Sequence, residues 1–110
     1  MVTEQLQADV FHAVADATRR AILDKLRDGA QPVGEIARSF PVSRPAISKH
    51  LRVLHDARLV AERREGRHRV YRLNPGPLRD VDRWLETYRR FWTVNLAALK
   101  KHVESRKGKR

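Results

Sequence analysis

The stretch from Val42 to Asn74, VSRPAISKHLRVLHDARLVAERREGRHRVYRLN, admits few folds. Ser43 stands where a helix N-cap belongs, and Pro45 falls in the first turn, where a missing N–H costs nothing. Ile47, Leu51 and Leu54 recur at i, i+4 and i+7, the buried stripe of an amphipathic helix. The opposite face carries Pro45, Ser48, Lys49, Arg52 and Asp56. Leu59 to Arg64 and Arg67 to Asn74 then read as two strands joined at Glu65-Gly66, with Gly66 free to take a positive φ. Alternation along the second strand sets Arg67, Arg69, Tyr71 and Leu73 on one face, with Tyr71 and Leu73 packing and the tip wet. Nine Lys/Arg fall between Ser43 and Arg72 against three acids, Asp56, Glu62 and Glu65. A helix followed by an arginine-loaded hairpin is the arrangement of a winged helix-turn-helix, and a polyanion is the ligand it suits.

The flanking sequence supplies the rest of a small helical domain. Leu6, Val10 and Val14, with Phe11 and Ala15 beside them, form one helical stripe. Asp16 is placed to cap a second helix with Ile22, Leu23 and Leu26 facing inward and Gly29 ending it. A short third helix follows Pro32, buries Ile36, Ala37 and Phe40, and stops at Pro41. Beyond Asn74-Pro75-Gly76-Pro77 a long helix begins. Its apolar positions Leu78, Val81, Leu85, Tyr88, Trp92, Leu96, Leu99 and Val103 step by three and four, and Trp84, Phe91 and Ala98 make a second line. From Pro77 to Arg106 such a helix would run roughly 45 Å, beyond what one small globule covers. A stripe that long and wide predicts burial against a second copy of the chain, at Leu6, Val10, Trp84, Leu85, Tyr88, Phe91, Trp92, Leu96 and Leu99.

The predicted fold class is therefore mainly α with a small β-hairpin, ordered α-α-α-α-β-β-α, in a homodimer. One domain is expected over 1–110, with 1–16 and 77–106 as dimerisation helices, 33–58 as the helix-turn-helix, 59–74 as the wing and 107–110 as a basic disordered tail.

Charge placement agrees. Of a net +11, residues 43–72 carry +6 and residues 100–110 carry +5, while 1–42 sum to −1 and 73–99 to +1. Charge gathered on one structural unit is an electrostatic footprint for a polyanion. The chain has no cysteine, which removes disulfides, thiolate metal ligation and thiol redox sensing. No apolar run approaches the ~18 residues of a membrane span and no signal-peptide pattern opens the chain, so a cytoplasmic location without membrane contact is expected. No glycine-rich phosphate loop and no Ser/His/Asp set point to an enzyme.

The chain resembles the ArsR/SmtB family of bacterial winged-helix repressors. The resemblance rests on ADATRRAILDKL (Ala15–Leu26), VGEIARSF (Val33–Phe40), VSRPAISKHLRVLHDARLV (Val42–Val60) and RREGRHRVYRL (Arg63–Leu73). It implies a dimer built on the first and last helices, a DNA-reading third and fourth helix, and repression by occluding a promoter. Where metal-sensing members carry Cys-x-Cys at the third helix, this chain has about Pro32 and Gly34. Where others carry Asp-x-His and His-x-x-Glu or His-x-x-His on the last helix, it has Asp80-Val81-Asp82 and positions near Thr93 and Leu96. The five histidines show no ligand spacing, so no metal and no cofactor is expected. Members commonly have Gly where this chain has Arg58, and the third helix lacks a Ser/Thr cap.

In this arrangement Arg44, Pro45, Ser48 and Lys49 are the candidates for reading base edges, and Ser43, His50 and Arg52 for phosphates. Arg63, Arg64, Arg67, His68 and Arg69 of the wing are expected at flanking phosphates or the minor groove. The expected partner is double-stranded DNA carrying an inverted repeat at a promoter, with the chain's own promoter as one candidate. The rival readings are a sequence-tolerant architectural DNA-binding protein, which the charge fits equally well, and a protein-binding module, which has no need of a basic stripe. Control by abundance, by an organic ligand near Trp84, Tyr88, Phe91 and Trp92, or by a partner protein all stay open.

Overall fold

The computed structural model describes the backbone of residues 2–108, and the side chains in that span except those of 2–7, 94–97 and 105–108. The elements run α1 (Val2–Val14), α2 (Ala17–Leu26), β1 (Gln31–Pro32), α3 (Val33–Arg38), α4 (Arg44–Asp56), β2 (Val60–Glu65), β3 (His68–Leu73) and α5 (Leu78–Gly108). Helix α1 packs against α2, α4 and α5, while α3 and α4 pack on each other.

The local chemistry accounts for the helix boundaries. The Asp16 carboxylate accepts from the backbone N–H of Arg19 (2.9 Å) and caps α2. The Ser43 hydroxyl accepts from the N–H of Ala46 (3.2 Å) and caps α4. Helix α3 starts at Pro32 with no side-chain cap. Helix α4 ends in a two-bond lock: Leu59 N–H donates to the carbonyl of Leu54 and Arg58 N–H to that of His55, both at 2.9 Å. Such a lock needs a left-handed residue between helix and strand, and Arg58 supplies it at φ +62°.

One core joins the helices. Ile22, Ile36, Ile47, Leu51, Leu54 and Leu59 are fully buried, with Leu23, Leu26 and Tyr71 around them. Stripping a buried leucine of this kind to alanine costs about 2–5 kcal/mol. Val10, expected at a partner surface, belongs to this same core: it is 1% exposed within the single chain, so its face of α1 is already covered. Leu6 and Leu96 lie outside the described side chains.

The sheet differs from the expected hairpin in two respects. A short third strand, β1, pairs antiparallel with β3 through Gln31↔Tyr71 and Pro32↔Val70, giving the order β1-β3-β2. Pro32 lacks an N–H to share, which suits an edge position. The hairpin also closes one residue later than expected. Its last pair is Glu65↔His68, and the two-residue loop is Gly66-Arg67 with Gly66 at φ +60°. A glycine in the first central position is what a type II′ hairpin turn requires.

Helix α5 divides its apolar stripe. Leu78 and Val81 pack on the core and Leu85 is half-buried. Beyond them Trp84, Tyr88, Phe91, Trp92, Leu99 and Val103 are between 42% and 58% exposed. Phe11 of α1 meets Trp84 edge to face at 5.5 Å, and Trp84 meets Tyr88 at 5.3 Å. The helix continues to Gly108, two residues into the stretch expected as a disordered tail.

Candidate nucleic-acid interface

Burying Ile47, Leu51 and Leu54 turns the other side of α4 to solvent. Arg44, Pro45, Ser48, Lys49 and Arg52 are all exposed there. Ser43 adjoins them, and since its oxygen accepts from Ala46, its hydroxyl proton is free to be donated outward.

Between this face, α3 and the wing lies an open groove of about 890 Å³. Arg44, Ser48, Lys49 and Arg52 line it from α4; Arg64, Arg67, His68 and Arg69 line it from the wing. Arg38 of α3 completes the basic rim, its guanidinium 3.1 Å from Glu35. The apolar side of α3 alone does not reveal Arg38, which falls on the polar side of that short helix, away from the buried Ile36. The groove also holds three carboxylates, Glu35, Asp56 and Glu62, against seven Lys/Arg.

The wing's arginines are not equivalent. Arg63 pairs with Glu65 at 2.7 Å, and strand alternation sets both on the face away from the groove. Arg69 lies 3.7 Å from Glu62, whose other oxygen accepts from the Tyr71 hydroxyl at 3.1 Å. Burial first, and then the Glu62 carboxylate, hold the Tyr71 phenol above its ordinary pKa. Arg64 and Arg67 have no ion pair among the described residues, and neither have Arg44, Lys49 and Arg52. Of the seven Lys/Arg lining the groove, these five have no ion pair to surrender on meeting an anion.

His50 has a different setting from its neighbours on α4. It is partly buried, with Nδ1 3.3 Å from Nη1 of Arg19 and 3.9 Å from the Asp16 carboxylate. The phosphate candidate of the sequence thus has one ring nitrogen already engaged at the α2 N-terminus. Asp16 itself is held below the usual carboxylate pKa, chiefly by the Arg19 backbone N–H.

Among the described residues no cluster of His, Cys, Asp or Glu could hold a metal ion, and no helix is long and apolar enough to cross a membrane.

Comparison with known proteins gives a consistent set. The profile of bacterial regulatory proteins of the arsR family matches residues 16–62. The HTH-type transcriptional regulator Rv2034 of Mycobacterium tuberculosis is 47% identical over 95 residues, covering 86% of each chain. The transcriptional repressor SdpR of Bacillus subtilis is 42% identical over 77 residues, covering 70% of this chain and 86% of that protein. A homodimeric winged helix-turn-helix DNA-binding domain from Mycobacterium bovis, described as a possible ArsR-family regulator, superimposes with a TM-score of 0.63 at 29% identity, covering 86% of this chain and 85% of that one.

Proposed function

The chain belongs to the arsR family of bacterial regulatory proteins, and from that premise we propose a homodimeric repressor that binds an inverted-repeat operator in double-stranded DNA, acting in the cytoplasm without enzymatic activity. The observation that carries the reading is the set of five unpaired cations, Arg44, Lys49, Arg52, Arg64 and Arg67, that face one open groove from α4 and the wing.

In this reading α4 enters the major groove. Arg44 and Lys49 donate to guanine edges, Ser48 donates or accepts, and the Pro45 ring meets a thymine methyl. Ser43 and Arg52 hold phosphates beside them, and Arg64, Arg67 and His68 hold the flanking backbone. Arg69 contributes less because Glu62 shares its charge. The second copy covers the exposed aromatic line of α5, and two recognition helices then meet half-sites about 34–36 Å apart.

Selection from a randomised duplex library tests this. Enrichment of an inverted repeat with half-site centres one helical turn apart is expected. Retention of duplexes with no shared sequence would favour the architectural reading instead.

A further inference from the structure

Arg19 takes no part in the DNA-facing surface, yet its guanidinium joins three helices. Nε donates to the carbonyl of Ala13 (2.7 Å) and Nη2 to that of His12 (2.9 Å), both in the last turn of α1. Nη1 meets Nδ1 of His50, in the middle of α4. Its own N–H donates to Asp16, the cap of α2. Arg20 adds a bond from Nη1 to the carbonyl of Val14 (2.8 Å). The last carbonyls of a helix have no intrahelical partners, and here two guanidiniums take three of them. A planar fork with five donors can span such a set, whereas a lysine ammonium cannot. With Arg19 donating to Nδ1, the ring proton of neutral His50 belongs on Nε2.

The placement matters because the joined helices have different tasks. Helix α1 packs on α5, whose exposed face is the proposed dimer surface, while α4 carries the proposed reading face. We infer that Arg19, acting through His50, is a positioning residue that fixes the recognition helix relative to the dimer and so sets the half-site spacing the protein accepts. The inference rests on the proposed dimeric DNA-binding function.

The test uses the full chain and the half-site recovered from the random library, placed in pairs whose separation changes by single base pairs, and alone. The wild-type chain should lose about tenfold in affinity one or two base pairs from its optimum. Arg19→Ala should bind the optimal pair about tenfold more weakly and vary less than about threefold across spacings, with its single half-site affinity within about twofold of wild type. Circular dichroism and dimer mass should not change. His50→Phe should show the same flattened spacing profile, and His50→Gln, which restores a carbonyl acceptor, should recover it; this pair decides the matter if Arg19→Ala does not fold. A wild-type spacing profile in Arg19→Ala or His50→Phe would overturn the inference, as would an equal loss on single and paired half-sites. If the wild-type chain selects no DNA at all, the DNA-binding function itself fails and the inference falls with it.

Discussion

The side-chain amide of Asn74 donates to the backbone carbonyl of Arg58 at 2.8 Å, tying the end of the wing to the left-handed residue that closes α4. The Asn74 N–H donates to the Leu59 carbonyl at the same distance. Hairpin and recognition helix are therefore anchored to each other at one corner.

Arg58 reaches that corner at a cost. A non-glycine residue in left-handed conformation is strained by about 1 kcal/mol relative to glycine. Its side chain is exposed and the Asn74 bond uses only its backbone. Arg58→Gly is expected to raise the melting temperature by a few degrees in a thermal scan; an unchanged or lower value would show that the lock holds without strain.

The unequal pairing of the wing arginines predicts unequal effects on DNA affinity. If each protomer neutralises about four phosphates, the log–log salt slope of the dimer is near −7. Arg64→Ala or Arg67→Ala should weaken binding to every sequence and flatten that slope by about 2, one contact per protomer. Arg63→Ala, which removes an arginine paired with Glu65 on the far face, should leave the slope nearly unchanged. Salt titrations of the three variants would refute this if Arg63→Ala had the largest effect.

Tyr71 gives an alkaline limit. A folded-state pKa raised above the unfolded value means that its contribution to stability is complete below the ordinary phenol range and is lost as pH rises through the folded value. Glu62→Gln removes one cause of the elevation and frees Arg69. The tyrosinate absorbance titration should shift to lower pH in this variant. A shift to higher pH would mean that Glu62 does not act on the phenol as a charge.

The exposed aromatics of α5 predict the assembly state. Phe91→Asp or Trp92→Asp sets a carboxylate in the middle of the proposed interface, where an unpaired charge is strongly disfavoured. Light scattering should then report a monomer, with the helical signal of the individual domain retained. A persistent dimer would move the interface elsewhere.

Much of this architecture is legible from residue order because local chemistry and burial agree. Ser43, Pro45 and the three-four spacing of Ile47, Leu51 and Leu54 define α4 without any tertiary information. The strand β1 is different: two residues carry no period, and its existence depends on β3 lying beside it. Val10 shows a second limit, since an apolar stripe does not say whether its cover is the chain's own core or a partner. His50 projects only about 40° from Leu54 on a helix of 100° per residue, which sets it on the flank of the buried side. The split among the wing arginines depends on which carboxylate each strand places opposite or beside it, and a register offset of one residue hides that from the sequence.

Sequence-specific recognition of DNA is measured by fluorescence anisotropy. The DNA upstream of the chain's own gene would be titrated at two salt concentrations against a scrambled competitor. A repressor of this kind should bind tightly, with a preference above about a thousandfold. A preference below about tenfold, with binding lost steeply as salt rises, would contradict it and leave a sequence-tolerant DNA-binding protein.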